Sequence, residues 1–67
     1  MIEATVNGEK RTLNETITVS EFLHELGIDE RVVVVEYNGD ILPRVQFAKQ
    51  RIASQDRLEI VQMMAGG

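Results

Sequence analysis

Ile2, Ala4 and Val6 alternate with Glu3 and Thr5, the pattern expected of a strand with one face in a core. Asn7-Gly8 follows, a pair tolerant of positive φ, and predicts a tight hairpin with a return strand over Glu9 to Leu13. A two-residue turn pairs Val6 with Glu9, Ala4 with Arg11 and Ile2 with Leu13. That register leaves Arg11 on the core side, so either its stem lies at the margin with the charge in water or the turn is longer. The period then changes. Val19, Phe22, Leu23 and Leu26 recur at i, i+3, i+4 and i+7, one apolar face of a helix. Thr18 and Glu21 form a capping box ahead of it, Ile17 and Phe22 occupy the staple positions, and Gly27 supplies a left-handed stop.

Arg31 to Tyr37 contains Val32-Val33-Val34-Val35, a β-branched run suited to a strand that is apolar on both faces. Parity puts Val33, Val35 and Tyr37 on one face and Val32, Val34 and Glu36 on the other. Asn38-Gly39 is a second turn. Ile41-Leu42-Pro43 then predicts a short edge strand, because Pro43 cannot donate to a ladder. Arg44 to Ile52 has no sustained period and is expected to wrap one end of the sheet, anchored by Val45, Phe47 and Ile52. After the Ser54-Gln55-Asp56 turn, Arg57 to Met63 reads as the last strand, with Leu58 and Ile60 on one face and Glu59, Val61 and Met63 on the other.

One helix covers only one face of a sheet. The order hairpin, helix, strand, short strand, irregular crossover, strand therefore predicts an α+β fold. It is a mixed sheet of four to five strands packed on one main helix, with the first and last strands central and parallel, the β-grasp arrangement of ubiquitin-like proteins. The uncovered face would carry Val34, Val61 and Met63, interrupted by Glu36 and Glu59. Such a surplus of exposed apolar residues predicts a contact surface, and the two glutamates are candidates for pairing with basic residues of a partner.

Composition narrows the choices. A chain of 67 residues is expected to form one domain, 1–67, with no cysteine for a disulfide, a thiolate metal site or an internal thiol nucleophile. Its hydrophobic fraction of 43% is that of folded chains. The net charge of −4 has the wrong sign for nucleic acid or an anionic membrane and suits a basic partner surface. Met1-Ile2-Glu3-Ala4 lacks a basic stretch followed by an apolar run, so the expected location is the cytoplasm.

Candidate chemistry concentrates at the chain end. Met64 to Gly67 follow the last strand as a flexible projecting tail, and four residues can reach about 13 Å when extended. Gly66 and Gly67 lack Cβ atoms and fit a channel too narrow for side chains. A free-standing enzyme is disfavoured. His24, the only histidine, falls on the polar helix face with no nucleophile to activate. Asn7-Gly8 and Asn38-Gly39 lack the strand-to-helix setting and lysine of a nucleotide-binding loop.

Taken together, Val6-Asn7-Gly8-Glu9, Thr18-Val19-Ser20-Glu21-Phe22-Leu23, Glu36-Tyr37-Asn38-Gly39-Asp40-Ile41-Leu42-Pro43-Arg44 and the terminal Gly66-Gly67 resemble the ThiS family, the sulfur carrier proteins of thiamin biosynthesis. The resemblance covers essentially the whole chain. It implies that Gly67 is adenylated by a ThiF-type enzyme using ATP and magnesium, with no cofactor bound permanently to the carrier. A sulfur relay or desulfurase then supplies the sulfur of a C-terminal thiocarboxylate, which is donated to a ThiG-type thiazole synthase. Ala65 and Gly66 would let the tail pass, while Val34, Val61 and Met63 help dock the body. The chain would be a protein co-substrate and not a catalyst. Two alternatives stay open: a sulfur carrier for molybdopterin synthesis or RNA thiolation, and a noncovalent ubiquitin-like interaction module.

Overall fold

The computed structural model describes residues 1–63. Strands β1 (Ile2–Val6) and β2 (Glu9–Leu13) form a hairpin, followed by helix α1 (Val19–Glu25), a 3-10 turn (Glu30–Val32), β3 (Val33–Tyr37), β4 (Asp40–Leu42), a second 3-10 turn (Arg44–Gln46) and β5 (Arg57–Gln62). The strands make one sheet in the order β2-β1-β5-β3-β4. β5 is parallel to β1 and antiparallel to β3, so the expected β-grasp arrangement holds, with five strands and the last one at the centre.

The first hairpin has the register of a two-residue turn, Val6 with Glu9 and Ala4 with Arg11. Asn7 (φ 51°) and Gly8 (φ 82°) both lie in the left-handed region that this turn requires. Arg11 is exposed, which settles its two options: the turn is short and the charge stays in water.

Local chemistry fixes both ends of α1. Thr18 Oγ1 accepts from the Glu21 N–H at 3.1 Å, and Glu21 Oε1 accepts from the Thr18 N–H at 2.8 Å. The bond from the Thr18 N–H, with a second to the same oxygen from the Thr18 hydroxyl at 3.2 Å, holds the Glu21 carboxyl below the usual range. At the other end Ile28 N–H donates to Leu23 C=O at 2.9 Å and Gly27 N–H to His24 C=O at 3.0 Å, a Schellman closure made possible by Gly27 at φ 75°.

Val19, Phe22 and Leu23 bury the inner face of α1 against Ala4 and Val6 of β1, Val33 and Val35 of β3, and Leu58 of β5. The 44–52 segment closes one end of this core. Its carbonyls at Phe47 and Gln50 accept from the Ser20 and Val19 N–H groups, which a helix start otherwise leaves free. Phe47 and Ile52 are carried inward by that attachment and are fully buried.

Two expectations need correction. Val45 is not an anchor: it stands 77% exposed. A 3-10 turn repeats every three residues, so the turn that sends Phe47 inward leaves Val45 outside. Val32 does not share the outer face of β3. Asp29 Oδ1 accepts from the Arg31 N–H and starts a 3-10 turn that ends at Val32, which packs half-buried against the core. Strand parity begins only at Val33.

Candidate functional site

The face of the sheet away from α1 is organised by the pairing of β3 with β5. Val34 lies opposite Val61, and Glu36 lies opposite Glu59. One strand further out, Ile41 of β4 lies opposite Glu36. Val34 is half-buried, whereas Val61 and Met63 are 56% and 64% exposed and Ile41 is 70% exposed. Five residues named from sequence as partner-binding, Val34, Glu36, Glu59, Val61 and Met63, are thus brought together. Ile41 was missed, although the two-residue turn at Asn38-Gly39 already places it across from Glu36 by counting.

Met63 continues the line of β5: its N–H donates to Val32 C=O at 2.7 Å. The root of the chain end is therefore tied to the turn that leads into β3. Ala65, Gly66 and Gly67 lie outside the described residues.

β5 is held by both Asn-Gly turns. Asn7 Oδ1 accepts from the Ile60 N–H at 2.7 Å and its Nδ2 donates to Ile60 C=O at 3.4 Å, prolonging the β1 ladder past the point where β1 turns away. On the other side Asn38 Oδ1 accepts from the Arg57 N–H at 2.8 Å, the Asn38 N–H donates to Arg57 C=O at 2.8 Å, and Asn38 Nδ2 donates to Asp56 Oδ1. Asp56 gathers further bonds from the Tyr37 hydroxyl and the Ala53 N–H. Burial pushes the Asp56 carboxyl up, but the bonds from Tyr37, Ala53 and Asn38 outweigh it and the net direction is down. Burial, followed by the neighbouring Asp56, pushes the Tyr37 phenol up to about 12. No sequence signal marks this Tyr37-Asp56-Asn38 junction, because it exists only once β5 lies beside β3.

A bidentate Arg31-Asp29 pair closes the turn before β3, with hydrogen bonds from the Arg31 guanidinium and N–H holding the Asp29 carboxyl down at about 2. Arg44 Nη2 caps the Arg31 carbonyl at 2.9 Å. Among the described residues no group of three or more His, Asp or Glu side chains is placed to hold a metal ion, and no helix is long and apolar enough to cross a membrane. His24 is exposed on α1, as expected. What these residues offer chemically is an apolar and acidic surface on a strand that leads into the Gly-Gly end.

Known proteins with this architecture point one way. The crystal structure of a thiamine biosynthesis protein (ThiS) from Geobacter metallireducens superimposes with a TM-score of 0.83 at 33% identity, covering 98% of this chain and 100% of that one. A thiazole synthase of Paramagnetospirillum magneticum is 39% identical over 66 residues; the match covers 98% of this chain but 20% of that protein, so the chain spans about a fifth of that relative's length. An uncharacterized protein, ycf40, of Porphyra purpurea is 29% identical over 98% of this chain and 93% of its own length. A model of the ThiS family matches residues 3–67, from the first strand through the terminal glycines, and the chain belongs to that family.

Proposed function

We propose that this chain is a sulfur carrier whose C-terminal Gly67 is the reacting residue. The observation that carries the reading is the place of β5: the central strand of a ThiS-family fold runs along the open face and is held as far as Met63, four residues before Gly67 in the sequence. A free carboxylate is a poor electrophile and must be activated. In the proposed cycle a ThiF-type enzyme uses ATP and magnesium, a carboxylate oxygen of Gly67 attacks the α-phosphorus, and pyrophosphate leaves. Sulfur from a persulfide-bearing relay then displaces AMP, and a thiol reduces the resulting acyl disulfide to the thiocarboxylate. Gly66 brings no side chain and Ala65 a single methyl group to the channel in which this happens.

The acceptor we favour is thiazole synthase, supported by the thiazole synthase that contains a segment 39% identical to this chain. On this reading the chain is a co-substrate that meets its enzymes in the cytoplasm, docking through Val34, Val61 and Met63.

The test uses the absence of cysteine. The protein is incubated with ATP, magnesium, sulfide and a ThiF-type enzyme, alkylated under mild conditions, and analysed by intact mass with fragmentation. Fragmentation is needed because exchange of oxygen for sulfur nearly matches the nominal mass gain of oxidising one of the three methionines. ATP-dependent alkylation localised to Gly67 is expected. No such product, with the enzyme active on a control carrier, overturns the reading in favour of a noncovalent module. Sulfur transfer to molybdopterin synthase and not to thiazole synthase would reassign the pathway.

A further inference from the structure

Glu36 and Glu59 are both exposed and stand directly opposite each other on β3 and β5. Like charges in facing positions of a sheet destabilise it. Neither carboxylate is in an ion pair: among the described residues the one ion pair, Arg31 with Asp29, lies elsewhere, and Arg57, two residues from Glu59 on the same face of β5, lines the same depression without bonding to either. Asn38 is also committed, its Oδ1 to the Arg57 N–H and its Nδ2 to Asp56. The two carboxylates therefore border a shallow depression shared with Asn38, Gly39, Gln55 and Arg57, into which Gly39 sends no side chain. Apolar groups adjoin it, with the Val34-Val61 pair on the side toward Met63 and Ile41 across from Glu36 on the edge strand.

Two carboxylates against one unpaired arginine leave negative charge in excess beside an apolar surface, the complement of a cation set among apolar side chains. Arginine fits best, because its planar guanidinium can donate to two carboxylates at once. We propose that the open face is a docking surface for a partner protein that places one basic side chain, preferably arginine, between Glu36 and Glu59 while its apolar neighbours cover Val34, Val61 and Ile41. A partner without that cation would desolvate two carboxylates with nothing in return, so the pair also selects against wrong surfaces. Glu59 lies four residues before Met63, which sets the partner's cation about 13 Å from the root of the tail.

The inference rests on the sulfur-carrier reading for the choice of partners, and the experiment separates the two. Dissociation constants of the full chain and of its Glu36→Gln/Glu59→Gln variant are measured against a ThiF-type adenylating enzyme and a thiazole synthase, at low and high salt, alongside adenylation and thermal unfolding. The variant is expected to bind at least one of the two enzymes about fivefold more weakly at low salt. Its affinity should depend less on salt, and its melting temperature should be unchanged or higher, since the facing charges are gone. That combination distinguishes recognition from a structural role, which would lower the melting temperature. Wild-type affinity and salt dependence toward both enzymes in the folded variant overturns the proposal. Binding without adenylation of the wild type defeats the carrier reading while the charge comparison still stands, and no binding of the wild type to either enzyme defeats both.

Discussion

Asn7 and Ile60 are 53 residues apart in sequence and joined twice, by 2.7 Å from the Ile60 N–H to Asn7 Oδ1 and by 3.4 Å from Asn7 Nδ2 to Ile60 C=O. One side chain thus replaces a peptide group of β1 beside the central strand. Asn7→Gly keeps the positive φ of the turn and removes the clip, so it should cost about 1 kcal/mol. Chemical denaturation gives the cost, and hydrogen exchange should show the Ile60 amide opening faster than in the wild type. Unchanged exchange there would mean the clip is absent in solution.

Tyr37 is the only tyrosine and the chain has no tryptophan, so its phenol can be titrated cleanly by absorbance. The phenol is held up at about 12 by burial and by Asp56. A folded-state value raised above the unfolded one makes a contribution that is complete below the unfolded value, near 10. Stability should therefore fall as pH rises from about 10 toward 12, and Tyr37→Phe should remove that dependence. Asp56 runs the other way, its contribution being lost as pH falls below the ordinary carboxylate range. Ionisation of Tyr37 at the ordinary value would show that the hydroxyl is not held by Asp56.

Val45 and Phe47 make a contrast two residues apart, one 77% and the other 1% exposed. Val45→Ser should change stability by no more than about 0.5 kcal/mol. Phe47→Ala should cost about 3–5 kcal/mol, because it empties the closed end of the core. Equal losses in thermal melts would place Val45 in the core after all.

Val61→Asp puts a further carboxylate on the open face at a position 56% exposed. The fold should survive, as judged by circular dichroism, while affinity for the adenylating enzyme drops about tenfold or more. Wild-type affinity would move the docking surface elsewhere.

Gly67→Ala adds one methyl group at the proposed reacting residue. Adenylation, followed by pyrophosphate release, should fall sharply with the melting temperature unchanged. Normal adenylation would show a channel wide enough for a side chain.

Much of this was legible in the sequence because the deciding interactions are local. The capping box at Thr18 and Glu21, the Gly27 stop and the two-residue turn at Asn7-Gly8 each involve neighbours only a few positions apart, and the alternation along β1 and β5 reads out a single face. Val32 and Val45 misled for one reason: each sits in a 3-10 turn, whose three-residue repeat matches neither strand nor α-helix. The roles of Asn7, Asn38 and Asp56 were hidden because their partners arrive from the far end of the chain. For the site, the composition of the open face could be read, but the facing of Glu36 with Glu59 needed the register between β3 and β5, which the 19 residues between Tyr37 and Arg57 leave undetermined.

The central place of β5 has a mechanical consequence. A load applied along the chain end would pull β5 lengthwise, in shear against five residue pairs with β3, two with β1 and the Asn7 clip at Ile60. On the edge strand β4, bonded to β3 alone through three residue pairs, the same load would fall on fewer bonds. Held by β3 along its length and by β1 at its start, β5 would share such a load among many bonds at once.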